Sequence, residues 1–160
     1  MRISTPAGIR LTKSFEQCRL VVYLDEAGYP TAGWGHRVLP EDNLKVGDTV
    51  TQAWADAKFL QDYVAPQQAV EHYAGQQLTD AQFSALVDFA YNEGVGNFYE
   101  FAELHMRQGV MDQDALVLAV PPALLKWINA GGRPLEDLMK RRVAEAAMFC
   151  GLTVSLEMRN

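Results

Sequence analysis

The segment over residues 79–91 constrains the fold more than any other part of the chain. It opens with Thr79 and has Gln82 three residues later, a pairing that satisfies free amides at the start of a helix. Apolar side chains then recur at the helical positions i, i+3, i+4, i+7 and i+8, which are Phe83, Leu86, Val87, Ala90 and Tyr91. Because an apolar stripe of this kind has to be covered by neighbours, we predict a helix at the centre of a helical lobe.

The sequence after this segment also favours helices, separated by glycine and proline. Gly94 and Gly96 end the central helix, and a shorter helix is predicted over 98–108. Pro121 and Pro122 are expected to precede another helix over 123–129, which the double glycine at 131–132 stops.

The last helix is predicted to begin near Pro134 and to end at Gly151. The basic run at 140–142 is expected to form a solvated face of this helix. Its predicted apolar side comprises Leu135, Leu138, Met139, Val143, Ala146 and Cys150.

The first part of the chain has a partly β-forming character. A helix capped by Ser4 or Thr5 is predicted to end at or near Glu16. Residues 20–24 are rich in β-branched and aromatic side chains, and a turn at 25–28 separates them from 29–34. This pattern predicts a β-hairpin.

A linking helix is predicted after this hairpin. A short strand is expected at 49–51, and Thr51 can cap a helix that Pro66 interrupts. The predicted apolar side of that helix carries Trp54, Ala57, Leu60 and Val64. We therefore predict one α+β, mainly α domain over 1–160, with an N-terminal lobe and linking helix over 1–65 and a helical C-terminal lobe over 66–160.

Composition and charge exclude several classes of protein. Apolar residues make up 49% and charged residues 21% of the chain, as in globular proteins. No apolar run approaches the roughly 20 residues of a membrane span, so we expect no stable membrane insertion and no conventional export signal. The net charge of −6 argues against nucleic acid as a partner. Cys18 and Cys150 are expected to be free thiols.

Two carboxylates and a hydroxyl in the first part could cleave a glycosidic bond. Such cleavage needs an acid that protonates the departing oxygen and a second carboxylate on the other side of the bond. Glu16 and Asp25 are separated by eight residues, and Thr31 follows Asp25 after five more. A glutamate at a helix C-terminus opposes the helix dipole, which favours a functional role for Glu16. Spacing alone leaves solvated surface charges as the alternative.

The sequence around these three residues is more specific. It contains SFEQCRL at 14–20, YLDEAG at 23–28 and TAGWGH at 31–36, followed by LVDFAYN at 86–92 and KRRVAE at 140–145. In this order the segments resemble phage-type lysozymes, the endolysins of tailed phages, whose Glu, Asp or Cys, and Thr triad has the same spacing. The resemblance implies a lysozyme-like two-lobed fold with a small N-terminal hairpin sheet and a cleft between the lobes.

The resemblance also implies an activity and a site. Hydrolysis of the β-1,4 bond between N-acetylmuramic acid and N-acetylglucosamine would use Glu16 as general acid, Asp25 as an ionised carboxylate and Thr31 to position water. No cofactor or metal is implied. His36 is expected to pair structurally with Asp62 rather than to bind a metal. Candidate substrate-binding residues are Trp34, Arg37, Tyr91, Asn92 and Arg133, with core packing as the alternative for Trp34 and Tyr91.

The same resemblance implies a biological setting. The partner would be peptidoglycan, cleaved by a monomer during host lysis by a phage or prophage. The protein would accumulate in the host cytoplasm and reach the wall in the periplasm after a separate holin-like protein opens the membrane; carriage in the virion is the alternative. A lytic transglycosylase, or a wall-binding or virion-structural module, remains a rival interpretation.

Overall fold

The computed structural model describes residues 1–25, 27–106 and 111–153. They form two compact units. One is Glu16–Val64, and the other combines Met1–Phe15 with the described residues from Ala65 onward. The first helix therefore belongs to the second unit, whereas we predicted it within a lobe over 1–65. No helix in the described ranges is both long enough and apolar enough to cross a membrane.

The Glu16–Val64 unit is built on a three-stranded antiparallel sheet. Its strands are β1 (Arg19–Leu24), β2 (Pro30–Gly33) and β3 (His36–Arg37), in that order. The predicted hairpin is thus confirmed, and β3 adds a strand that we did not predict. The strand predicted at 49–51 is reduced to an isolated antiparallel bridge between Val21 and Thr49.

Helix α2 (Gln52–Asp62) completes this unit. The Thr51 side chain accepts a hydrogen bond from the Trp54 amide, which confirms the predicted cap. The buried side of α2 is formed by Ala55 and Phe59 rather than by the predicted stripe, of which Leu60 is 56% exposed. Strand β2 packs closely on this side, since a side chain at Gly33 would come within 3.0 Å of the Ala55 Cβ.

The other unit consists mainly of six helices, and α4 is the most buried of them. The helices are α1 (Pro6–Phe15), α3 (Val64–Ala74), α4 (Asp80–Glu93), α5 (Val95–His105), α6 (Gln113–Leu124) and α7 (Glu136–Phe149). Thr79 and Gln82 form the predicted capping box, and residues 82–90 are all buried. The central position predicted for this helix is confirmed. The part of the predicted 98–108 helix after Met106 lies outside the described residues.

Two sequence predictions were wrong at α6, the position of its prolines and the residue at which the helix ends. Pro121 and Pro122 lie inside this helix instead of preceding one, and the helix ends at Leu124. Residues 129–134 form a small hairpin of β4 (Asn129–Ala130) and β5 (Arg133–Pro134). The prolines remove the amides that would bond the carbonyls of Val117 and Leu118, and both of these residues are exposed to water.

The predicted faces of α7 were also wrong. Leu135, Met139 and Val143 are 46%, 47% and 59% exposed. Arg141 and Arg142, which we expected in a solvated run, are 3% and 0% exposed. The buried side of α7 is thus ionic as well as apolar.

A network of buried charges explains this side of α7. Arg141 donates two hydrogen bonds to the Asp88 carboxylate, from Nη2 at 2.8 Å and from Nε at 3.1 Å. Arg142 donates to Glu145 at 2.5 Å, to the Trp127 carbonyl at 2.9 Å and to Glu93. A guanidinium group can be buried only if its donors are satisfied in this way, so these contacts fix α7 against α4.

Candidate active site

Glu16 is the first residue after α1 and the first residue of the Glu16–Val64 unit. Its side chain is half-buried. A Cβ atom at Gly35 would lie 3.9 Å from Glu16 Oε2, so the carboxylate lies beside the turn between β2 and β3. The predicted location at the end of the helix is therefore correct to within one residue.

Asp25 lies in the hairpin turn, where its side chain organises the backbone. Asp25 Oδ1 accepts hydrogen bonds from the amides of Ala27 at 2.9 Å and Tyr29 at 2.8 Å. This is the turn-forming role typical of aspartate. Since one carboxylate oxygen is occupied in this way, the orientation of the other oxygen, Oδ2, is fixed as well.

Thr31 lies on β2, next to that second oxygen. Thr31 Oγ1 is 3.4 Å from Asp25 Oδ2 and 3.1 Å from the Tyr29 carbonyl oxygen. A hydroxyl has one proton to donate and two lone pairs that accept. When the hydroxyl of Thr31 donates its proton to the Tyr29 carbonyl, Thr31 Oγ1 can accept a hydrogen bond from a water molecule. The second hydrogen of that water can then form a hydrogen bond with Asp25 Oδ2.

Two of the predicted substrate-binding residues belong to the same unit. Trp34 is half-buried, and its indole N–H donates to Asp56 Oδ1 at 2.8 Å. This bond occupies the indole N–H, so a ring face of Trp34 rather than its N–H is the candidate contact with a sugar. Arg37 is exposed and pairs in register with Thr31, so both side chains project from the same face of the sheet.

The remaining candidates belong to the other unit. Asn92 lies near the end of α4, and its Oδ1 accepts a hydrogen bond from Arg142 at 2.5 Å. Tyr91 beside it is half-buried, and Arg133 is exposed on β5. The structure therefore brings Asp25 and Thr31 into contact, whereas Tyr91, Asn92 and Arg133 belong to the other compact unit.

Comparison with known proteins identifies the family. The family model described as "Phage lysozyme" matches residues 13–145, a range that includes Glu16, Asp25 and Thr31. The endolysin of Acyrthosiphon pisum secondary endosymbiont phage 1 is 31% identical over 146 residues, covering 89% of this chain and 94% of that protein. The chain belongs to the phage lysozyme family. The family that we inferred from the sequence is thus confirmed.

Two further relatives are similar to this chain, one in fold and one in sequence. A mutant of P22 lysozyme superposes with a TM-score of 0.77 at 26% identity, covering 94% of this chain and 99% of that one. The predicted lysozyme-like fold is therefore confirmed. The endolysin of Bacillus phage PZA is 33% identical over 152 residues, or 93% of this chain, but this chain spans only 55% of its length.

A second polar cluster in the Glu16–Val64 unit stabilises the sheet that carries Thr31. His36 Nδ1 lies 2.8 Å from Asp62 Oδ2, which confirms the predicted pairing, and His36 Nε2 lies 3.1 Å from Asp42 Oδ2. Asp42 also forms an ion pair with Lys58. Sequence reasoning missed Asp42, because a turn-rich segment such as 40–43 gives no sign that an aspartate is buried.

Proposed function

We propose that this chain is a muramidase, which hydrolyses the β-1,4 bond between N-acetylmuramic acid and N-acetylglucosamine in bacterial peptidoglycan. The observation that carries the proposal is the contact of Asp25 Oδ2 with Thr31 Oγ1, in a unit that begins with Glu16. Family membership and the lysozyme and endolysin names of the relatives support a wall-lytic role.

Each of the three residues has a defined step in this reaction. Glu16 donates a proton to the glycosidic oxygen as the bond breaks, so that the sugar leaves as an alcohol. Water adds to the anomeric carbon, and its proton passes to the Asp25 carboxylate. Thr31 orients that water, because its hydroxyl can accept one hydrogen bond while it donates to the Tyr29 carbonyl.

The substrate would extend beyond the three catalytic residues. We assign Trp34 and Arg37 to contacts with the glycan, Trp34 through a ring face and Arg37 through its exposed guanidinium. Tyr91, Asn92 and Arg133 are the corresponding candidates on the other unit. Asn92 is held by Arg142, which leaves its amide N–H groups as the donors for a sugar oxygen.

We place this activity in host lysis by a phage or prophage. The protein would act as a monomer that needs no cofactor. It would accumulate in the host cytoplasm and reach the periplasmic wall when a holin-like protein opens the membrane. Detection of the protein in purified virions would favour carriage in the particle instead.

Turbidity loss of purified peptidoglycan tests the assignment of the two acids. Glu16→Gln and Asp25→Asn should each lower the rate about 100-fold or more, because each removes a proton-transfer group. Glu41→Gln is the matched control, since Glu41 is an exposed acid of the same unit. The wild type should have a bell-shaped pH profile. Full activity of the Glu16→Gln protein would refute the site.

Product analysis distinguishes hydrolysis from the rival transglycosylase reaction. A hydrolase adds water and leaves reducing muropeptide ends, whereas a transglycosylase leaves anhydro ends. We expect mass spectrometry of the digest to find reducing ends, with the mass of one water added per cleaved bond. Anhydro ends would overturn the muramidase assignment.

A further inference from the structure

The peptide groups of Tyr29 connect the two residues that we propose to hold the attacking water. The Tyr29 amide donates to Asp25 Oδ1 at 2.8 Å, and the Tyr29 carbonyl accepts from Thr31 Oγ1 at 3.1 Å. The same carbonyl accepts from the Asp25 amide at 2.9 Å. A shift of Tyr29 would therefore move Asp25 and Thr31 together.

The ring of Tyr29 is held from one side by a cation. Tyr29 is 43% exposed, so ordinary packing restrains its ring only partly. The Arg37 guanidinium carbon lies 3.5 Å from the ring centroid. Arg37 on β3 lies opposite Thr31 on β2, and Tyr29 precedes Thr31 by two residues, just before β2 begins. The contact between Arg37 and Tyr29 is therefore diagonal to the pair of Arg37 and Thr31.

We propose that Arg37 and Tyr29 are a positioning pair that fixes Asp25 and Thr31 for the reaction, an inference that rests on the proposed muramidase function. Arg37 restrains the Tyr29 ring, and the ring restrains the peptide groups on which the Asp25 carboxylate and the Thr31 hydroxyl depend. This role is additional to the glycan contact assigned to Arg37, since a guanidinium stacked on a ring keeps its N–H edge free.

Steady-state kinetics on solubilised glycan strands separate positioning from substrate contact. Arg37→Ala and Tyr29→Ala should each lower kcat about three- to tenfold, because small displacements of reacting groups reduce rates steeply. The double variant should be no slower than the slower single variant, since both changes remove the same contact. Tyr29→Phe keeps the ring and should retain the wild-type kcat.

The sheet offers a matched control. Arg19 lies over the ring of Tyr23 at 4.3 Å, so Arg19→Ala removes a similar cation and ring contact from the same sheet without touching Tyr29. We expect this variant to keep the wild-type kcat. Hydrogen exchange adds a readout independent of catalysis, in which the Tyr29 amide should exchange faster in Arg37→Ala but not in Arg19→Ala.

Any of the following results would overturn the pairing on its own. They are a raised KM with unchanged kcat in Arg37→Ala, losses that multiply in the double variant, and a Tyr29→Phe variant as slow as Tyr29→Ala. Glu16→Gln and Asp25→Asn are measured in the same assay. If both keep the wild-type rate, the muramidase proposal fails, whereas inactive acid variants with fully active Arg37→Ala and Tyr29→Ala refute only the positioning pair.

Discussion

At the scale of single residues, Glu145 is a carboxyl group in an unusual setting. It is fully buried, and it lies next to Arg142 and the buried carboxylate of Asp88. Burial raises the pKa of Glu145 well above its usual value, and the negative charge of Asp88 raises it further. Burial alone would also raise the pKa of Asp88, but Arg141 and the hydrogen bond with Glu145 lower it. Glu145 is therefore the acid of this pair that holds the proton.

Replacing Glu145 by glutamine tests this assignment. Glutamine can still accept from Arg142, and it can donate to Asp88 as the protonated acid does. The unfolded chain releases the Glu145 proton near pH 4.5 and the folded chain at higher pH, so this group makes wild-type stability fall as pH rises above 4.5. Urea unfolding measured across pH should show a smaller fall in the free energy of unfolding for Glu145→Gln than for the wild type. Parallel profiles for the two proteins would contradict the protonated state.

Some residues of this protein were predictable from the sequence, and others were not. Glu16, Asp25 and Thr31 are proposed as catalytic residues on the basis of a motif with fixed spacing. Arg141 and Arg142 were assigned to solvent, because a basic run on a helix is normally solvated. The available signal was Asp88, an acid within the largely apolar segment 83–91, since a buried acid needs a buried cation as partner.

At the scale of secondary-structure elements, Asp42 joins the 3-10 helix at Pro40–Asp42 to β3 and α2. Its side chain is 2% exposed and contacts His36, Lys58 and the Leu39 amide. Burial alone would raise the pKa of Asp42, but the hydrogen bonds from Lys58, Leu39 and His36 outweigh it and lower this pKa to about 2. The ionised form of Asp42 therefore stabilises the fold.

Substituting Asp42 by asparagine should remove this stabilisation. The pKa falls from 3.8 to about 2, which corresponds to about 2 kcal/mol at neutral pH. Because the folded-state pKa is lowered, the contribution is complete above pH 3.8 and is lost as pH falls through 2. Denaturant unfolding should give Asp42→Asn a lower free energy of unfolding than the wild type at pH 7. This deficit should shrink toward pH 2. Asp48→Asn, a change in a nearby turn, serves as the control, and an equal deficit at both pH values would refute the mechanism.

The packing of α1 on α4 depends on a glycine. A Cβ at Gly8 would lie 2.5 Å from the Ser84 Cβ, so Gly8→Ala should cost about 1–3 kcal/mol through overpacking despite the better helix propensity of alanine. Ser84→Gly should restore part of this stability in the double variant. Thermal unfolding of the four proteins gives the coupling energy. Additive effects would mean that the two positions do not meet as described.

Element boundaries were predictable where local chemistry fixes them. Thr51 and Thr79 cap helices as their side chains predict. The end of α6 was not predictable, because the burial of Leu116, Val120 and Leu124 offsets the two helical hydrogen bonds that Pro121 and Pro122 remove. Such tertiary compensation leaves no local sequence signal.

At the scale of the whole molecule, charge is distributed unevenly between the two units. The Glu16–Val64 unit has eight acidic and four basic residues, so it carries −4 of the net charge of −6. This is the unit that contains Glu16, Asp25 and Thr31. An anionic wall should therefore repel the protein at long range, and salt screens such repulsion.

The expected consequence is an unusual salt dependence. Raising the salt from about 20 to about 200 mM shortens the screening length severalfold, so kcat/KM on peptidoglycan should rise with a nearly constant kcat. Glu100 and Glu103 are exposed on α5. Changing both to lysine should raise kcat/KM at low salt and flatten the dependence, and changing both to glutamine should give half the effect. A kcat/KM that falls with salt in the wild type would mean that local basic groups such as Arg37 and Arg133 outweigh the net charge during association.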